Sequence, residues 1–286
     1  MNLDFHTHGK LAKKLPFSTQ YTDWLFDAAK AAGLDALCLT EHFNTLEFDR
    51  LYRYLLEKSC RAGDTLVLPN GLRIFPGMET DVAEGGHVLC LGRAEDILAL
   101  NRQLESHKTP GSFLPFAQLM DLFRRYPVLV GAGHPYRTGG HIPELPEVQL
   151  RRLDFLDLNG KDVAEGLERT RNLTFALGSR LGLPVVAGSD THQAVQYGCI
   201  YTQFSGETAT LAGLASQMAA GRYRITVAAQ AAFQVSTAGV LKRALKEIHA
   251  LGGDYVQVLT GSPPVERTNH GDVVISPTGA VFAPVA

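Results

Sequence analysis

The chain has 286 residues, 45% of them apolar and 20% charged, with a formal net charge of −2. That composition fits a globular protein with a sizeable core, and it gives no overall basic field that would draw nucleic acid or a membrane surface. No apolar run is long enough to span a bilayer and no signal peptide precedes the first strand, so the expectation is a cytoplasmic protein without a membrane partner.

Cys38, Cys60, Cys90 and Cys199 form no CxxC pair. Cys38 and Cys90 sit in apolar runs, as buried thiols of a reducing compartment do.

The first strand begins at once and ends in His6 and His8. Strict alternation puts Asp4, His6 and His8 on one face and Leu3 and Phe5 on the other. Residues 9–22 read as a loop with Lys10, Lys13 and Lys14. Thr22-Asp23 can cap a helix to about 32, and Gly33 ends it. Strand 35–40 leads to Glu41-His42, and a helix spans roughly 46–61. Strand 72–79 ends in Glu79, and strand 87–92 begins with His87. Helices follow at about 94–105 and 115–125. Strands 128–133, 153–158 and 184–188 end in His134, in Asn159 and in Ser189-Asp190-Thr191-His192, with a helix near 164–181. Past about 206 the pattern changes to a helix (208–220), a strand (223–227) and a helix (237–250). A terminal hairpin is predicted from 255–259 and 273–276.

Short apolar strands alternating with helices predict a parallel sheet covered on both faces, either a barrel or a doubly wound sheet. The division expected is a main domain over 1–235 and an extension of one helix and a β-hairpin over 236–286.

Polar groups gather at strand ends: His6, His8, His42, Glu79, His134, Asn159, Asp190 and His192. In α/β barrels and open parallel sheets, sites are built at the C-terminal ends of strands. His87 starts its strand, but the link from Glu79 is too short for a parallel crossover. An antiparallel hairpin would return His87 to the side of Glu79. Imidazoles and carboxylates converging on one rim are a donor set for divalent metals. Arg137 and Lys161, just past two of these strand ends, are placed to hold an anionic substrate group. His107 and His249 read as helix-surface residues, His270 as part of a tail turn, and His141 as part of a Gly-rich loop that could line the cleft.

Asp4-x-His6-x-His8, Thr40-Glu41-His42, Gly77-x-Glu79, His87-Val88-Leu89, Gly133-His134-Pro135, Asp157-x-Asn159 and Gly188-Ser189-Asp190-Thr191-His192 occur in the order of the polymerase and histidinol phosphatase (PHP) family. The chain resembles that family over about 1–205, and residues 198–222 look like the segment that follows the last motif in short PHP phosphoesterases. The resemblance implies a distorted (β/α)7 barrel with two or three divalent ions of manganese, zinc or iron. It assigns His6, His8, Glu79 and Asp190 to one metal. Glu79, His87 and His134 go to a second, and His42 and His192 to a third. Three positions depart from the family pattern. Glu41 replaces an aspartate, Asp157 stands where a glutamate is common, and residues 9–20 lack the usual His or Asp. A lysine there, Lys10 among them, would be a substitute phosphate anchor.

The implied activity is hydrolysis of a small phosphorylated metabolite. A water activated between two ions would attack phosphorus, and Asp190 or His192 would pass a proton to the leaving group. Asp4 would orient a ligand histidine from behind. The alternatives are an amidohydrolase-like metallohydrolase, or a metal-binding regulatory protein without turnover. Against the amidohydrolase reading, no lysine stands at the end of the third to fifth strands. The identity of the substrate, monoester or diester, and the oligomeric state stay open at this stage.

Overall fold

The computed structural model describes residues 1–260 and 273–282. In chain order the strands are β1 (Asn2–Thr7), β2 (Ala36–Leu39), β3 (Cys60–Ala62), β4 (Thr65–Val67), β5 (Arg73–Asp81), β6 (His87–Leu91), β7 (Leu129–Gly133), β8 (Phe155–Asn159), β9 (Val185–Gly188), β10 (Ile200–Phe204), β11 (Tyr223–Val227), β12 (Val273–Ile275) and β13 (Val281–Phe282). The helices are α1 (Thr19–Ala31), α2 (Phe48–Lys58), α3 (Ala94–Gln103), α4 (Phe116–Phe123), α5 (Glu147–Leu150), α6 (Gly160–Leu181), α7 (Leu211–Ala219), α8 (Ala231–Ala250) and α9 (Tyr255–Thr260).

The expected (β/α)7 barrel is present. Its wall runs β1-β2-β5-β6-β7-β8-β9. β1, β2 and β5 are parallel, and so are β7, β8 and β9, while β6 runs antiparallel to both its neighbours. The wall closes where the chain after β9 meets β1, through Asp190 N–H to the His6 carbonyl (2.7 Å) and His8 N–H to the Thr191 carbonyl (3.1 Å). Gly188 makes this approach possible, because a Cβ there would lie 2.3 Å from the His6 Cβ.

One face of the wall is apolar throughout its lower part. Leu3, Phe5, Cys38, Phe75, Leu89, Phe155 and Val186 pack together, with Leu211, Leu214 and Met218 of α7 in the same cluster. The other large cluster joins strands to helices, through residues such as Leu25, Leu51, Leu100, Phe123 and Leu177. Both are closely packed apolar interiors, whose burial is a main source of stability.

Three local expectations differ from the structure. Strict alternation in β1 is broken by a register shift between Asp4 and Thr7. Phe5 and His6 therefore reach β8 from the same side: the Phe5 ring is 5.5 Å from Phe155, and His6 Nδ1 is 2.9 Å from Asp157. Phe155 and Asp157, two apart, share a face of β8. A bulge allows this and simple pleating does not.

Helix α1 starts three residues before Thr22, because the Ser18 hydroxyl accepts from the Tyr21 N–H and caps it. Residues 255–259 form helix α9, not a strand. Asp254 Oδ1 accepts from the N–H groups of Val256 (2.9 Å) and Gln257 (3.2 Å), which caps a helix at its start. The hairpin that does form joins β12 to β13, and β12 pairs with β11. Position 235 falls inside α8. The predicted Pro263-Pro264 turn and His270 lie outside the described residues.

Candidate metal centre

Each strand end of the upper rim delivers one or two donors. β1 ends at His6 and His8. The chain beyond β2 runs beside β5, with a bridge between His42 and Glu79. The β5–β6 hairpin pairs Asp81 with His87, and β6–β7 pairs His87 with Gly133, just before His134. Asp190 and His192 follow β9.

The structure brings all eight sequence-derived metal candidates together. Ligand atoms of His6, His8 and Glu79, of His6, His134 and Asp190, of Glu79, His87 and His134, and of His8, His42 and His192 form four groups, each within 4.8 Å. Glu79 is the hub. Its Oε1 lies 3.1 Å from His134 Nε2, contacts His87 Nδ1 and is 3.5 Å from His6 Nε2. Its Oε2 lies 2.6 Å from His42 Nδ1 and 3.6 Å from His8 Nε2.

The ring orientations are set from behind. Asp157 Oδ2 holds His6 Nδ1. The Lys10 carbonyl is 2.9 Å from His192 Nδ1, and since a carbonyl only accepts, that nitrogen carries the proton. Asp81 Oδ1 is 2.9 Å from His87 Nε2. Each arrangement turns the other ring nitrogen toward the cluster.

Asp4 works differently from expectation. Its Oδ1 takes the backbone N–H groups of His6 (3.1 Å) and Ser189 (2.8 Å), so it ties β1 to the loop after β9 and does not touch the imidazole.

Charge is distributed unevenly. Burial alone would raise Glu79, yet His87, His42 and His6 hold it well below the usual carboxylate range. Asp190 is likewise opposed by burial but held well below its usual value, chiefly by Lys161 and His6. Burial brings His42 and His134 down to about 4 and puts His192 well below 6.5. His87 goes the other way, up to about 9, because Glu79 and Asp81 outweigh its burial.

Two of the three non-glycine residues with positive φ among the described residues are His134 (φ 32°) and Asp190 (φ 55°). Left-handed backbone costs such residues energy and concentrates at functional sites.

The residues fit divalent cations. His6 Nε2 is fully buried and has no hydrogen-bond partner, while its other nitrogen is occupied by Asp157. A buried imidazole nitrogen left bare among carboxylates is a ligand position.

The cationic candidates divide. Lys161 Nζ is 2.9 Å from Asp190 Oδ1 and half-buried. Arg137 is braced on three acceptors: Asp162 (2.8 Å), Asp190 Oδ2 (2.7 Å) and Asn159 (2.6 Å). The structure does not bring the Lys10 ammonium to the cluster. Its stem is buried, and Nζ bonds the Thr45 hydroxyl (3.1 Å) and the Leu46 carbonyl. Lys13 pairs with Asp81 at 3.4 Å.

His141 is exposed beside Glu144, and His249 meets Tyr255 edge-on. His107 sits on a short 3-10 turn, bonded to the Ser112 carbonyl. Sequence reasoning missed Asp81 and Asp162. Asp81 was findable, since it stands two residues past Glu79 on one strand.

A family model described as PHP-associated matches residues 172–223. No curated protein matches the chain. Among solved structures, PsfC from Pseudomonas syringae PB-5123 superposes with a TM-score of 0.70 at 25% identity, over 85% of this chain and 98% of that one. The lesion-specific endonuclease PfuEndoQ from Pyrococcus furiosus gives a TM-score of 0.58 at 15% identity, over 77% of this chain and 56% of that one, and shares the fold. Seven motifs in the order of the PHP family, the PHP-associated segment at 172–223 and a barrel that superposes on PsfC make this chain similar to PHP-family proteins.

Proposed function

We propose that the protein is a metal-dependent hydrolase that cleaves a phosphoester bond of a small phosphorylated substrate. The observation that carries this is the Glu79 carboxylate, whose two oxygens face two different sets of imidazoles. A carboxylate so placed suits a bridge between two cations, the arrangement used for in-line displacement at phosphorus.

His6, His8, Glu79 and Asp190 would hold one ion, and Glu79, His87 and His134 a second. His42 and His192, with His8, offer a third position that no residue of the 9–20 loop supplements. Bound divalent manganese, zinc or iron would lower the pKa of water and neutralise charge on the phosphoryl oxygens.

The chain's own residues then have distinct tasks. Arg137, fixed by Asp162 and Asn159, holds Asp190 in place more than it reaches for substrate. Lys161 has one such contact and is the freer cation. Asp190 is held as the carboxylate and His192 as the neutral imidazole, the forms in which each offers a lone pair to a cation.

The test is phosphate release. Protein loaded with manganese, zinc or iron should hydrolyse at least one member of a broad panel of phosphorylated metabolites, and chelation should abolish it. A metal-loaded preparation that releases phosphate from none of them would overturn the reading.

A further inference from the structure

Two adjacent side chains of α1 hold the two loops that carry His8 and His192. The Ser18 cap sets the helix so that Tyr21, Thr22, Leu25, Phe26 and Ala29 form its buried face. The Thr22 hydroxyl donates to the Gly9 carbonyl (2.8 Å), one residue past His8. The Tyr21 hydroxyl donates to the His192 carbonyl and accepts from the Gln193 amide Nε2 (3.0 Å). Tyr21, His192 and Gln193 are all buried. A buried carbonyl is costly to leave unpaired, so this bond fixes the backbone at His192.

The His192 ring is gripped as well. Its Nδ1 lies 2.9 Å from the Lys10 carbonyl, and the ring stacks on His8 at 4.0 Å. With the backbone and Nδ1 both held, Nε2 is the atom left for a cation shared with His8 and His42.

The C-terminal helices build the seat of Tyr21. Tyr255 of α9 meets the Tyr21 ring edge-on at 5.7 Å and 65°. Tyr255 is itself buried, and His249 of α8 lies edge-on to it at 5.8 Å. Aromatic pairs in this geometry attract beyond their simple burial. Helix α8 also reaches the turn after His192 directly, because Gln234 Nε2 donates to the Val195 and Tyr197 carbonyls, each at 3.1 Å. The His192 loop is thus backed at two points, by α8 directly and by α9 through Tyr21.

Of the cation positions, the one formed by His8, His42 and His192 has the least in reserve. It has three imidazoles, and residues 9–20 add no His or Asp. His8 Nε2 is also 3.2 Å from Asp190, a donor of the first group. A position with so few donors has no spare when one ring turns, so what holds that ring decides its affinity.

We propose that Tyr21 is a positioning residue for His192, and that the C-terminal helices, through Tyr255, hold it in place so that the His8–His42–His192 position can take a third cation. This rests on the metal-centre half of the proposed function and is independent of the phosphate chemistry.

The experiment strips the full-length protein with chelator and titrates it with cobalt(II), read by visible absorption, with ions per chain counted by elemental analysis. Wild type should bind two tight ions and a third, weaker one, and His42→Ala should abolish the weak class and so identify it. Tyr21→Phe should weaken that class about 10–100-fold, as loss of an outer partner does, and leave the two tight ions in place. Tyr255→Ala should act in the same direction by less, and Tyr255→Phe, which keeps the ring, should match wild type. Tyr54→Phe is the control: it removes a hydroxyl bonded to Asp23 (2.7 Å) and should change nothing.

A wild type that holds no more than two ions, an unaltered third ion in Tyr21→Phe, or equal losses over all the ions would overturn the proposal, the last because a general structural prop would act on the whole centre. If Tyr21→Phe misfolds, Tyr255→Ala and Tyr255→Phe decide by the same titration, and equal affinity for the third ion in those two would sink it. No substrate is present, so a protein that releases no phosphate yet shows the selective loss keeps the positioning role while the phosphoesterase reading fails.

Discussion

Asp157 Oδ2 lies 2.9 Å from His6 Nδ1, and both side chains are fully buried. The same carboxylate oxygen accepts from the Asn159 amide (2.9 Å) and the His134 N–H (3.3 Å), so it also holds the start of the loop that carries His134. A carboxylate behind a ligand imidazole fixes its tautomer and raises its basicity. Asp157→Asn can present an amide N–H to Nδ1 and turn the wrong nitrogen toward the cluster. The expected outcome is metal affinity weakened about 10–100-fold with little change in folded content. Metal titration against a fluorescent chelator, beside circular dichroism, checks it. Wild-type affinity would show that the barrel wall alone sets the His6 ring.

Glu79 is the one acid within reach of five imidazoles: His6, His8, His42, His87 and His134. Glu79→Gln keeps the shape and removes the charge that both halves of the cluster share. At least one ion per chain should be lost on elemental analysis, and turnover should fall by more than about 100-fold, as loss of a shared ligand does. Retention of full metal content would mean that Glu79 is a spectator and that the histidines suffice.

Much of this site was visible as chemistry at strand ends, because apolar strands and polar termini are a local pattern. The antiparallel return of β6 was readable too, since the short link between Glu79 and His87 excludes a crossover. What resisted reading depended on tertiary geometry. The bulge in β1, which swings His6 onto the Asp157 side, is invisible to a period-two rule. Residues 255–259 look β-prone, but Asp254 and the packing of Tyr255 on Tyr21 (5.7 Å) make them helical. Lys10 was a plausible anion anchor by position. Only the fold reveals that its carbonyl, and not its ammonium, serves the site by holding His192.

The histidines also predict how the metal-free protein responds to pH. His42 and His134 fall from 6.5 to about 4 on folding, so the unfolded chain binds more protons between those values. Stability is therefore lost as pH drops through that window. His87 rises from 6.5 to about 9, so its contribution is complete below 6.5 and is lost as pH climbs toward 9. The two effects place maximal stability of the chelated protein near neutral or slightly acid pH, with Tm falling on both sides. Divalent metal should flatten the alkaline side, because His87 must shed its proton to bind. Differential scanning fluorimetry with and without chelator reads this directly. A metal-free Tm that keeps rising to about pH 9 would contradict the His87 assignment.

Gly188 tests whether the site depends on barrel closure. An added Cβ would lie 2.3 Å from the His6 Cβ and 2.6 Å from its backbone nitrogen, so neither neighbour can swing away as a flexible side chain could. Gly188→Ala must push β9 off β1, which also strains the Asp190 N–H to His6 carbonyl bond of 2.7 Å. The expected cost is at the upper end of the 1–3 kcal/mol typical of overpacking, about 3 kcal/mol by urea denaturation. Gly33→Ala is the comparison. It has open space around it and only its left-handed φ of 81° to oppose a side chain, so about 1 kcal/mol is expected. Metal affinity should separate the two variants further. Gly188→Ala displaces His6 and Asp190 together, two donors of one cluster, whereas Gly33→Ala touches neither. Equal metal affinity in both would mean that the closing contact steadies the barrel without setting the geometry of the centre.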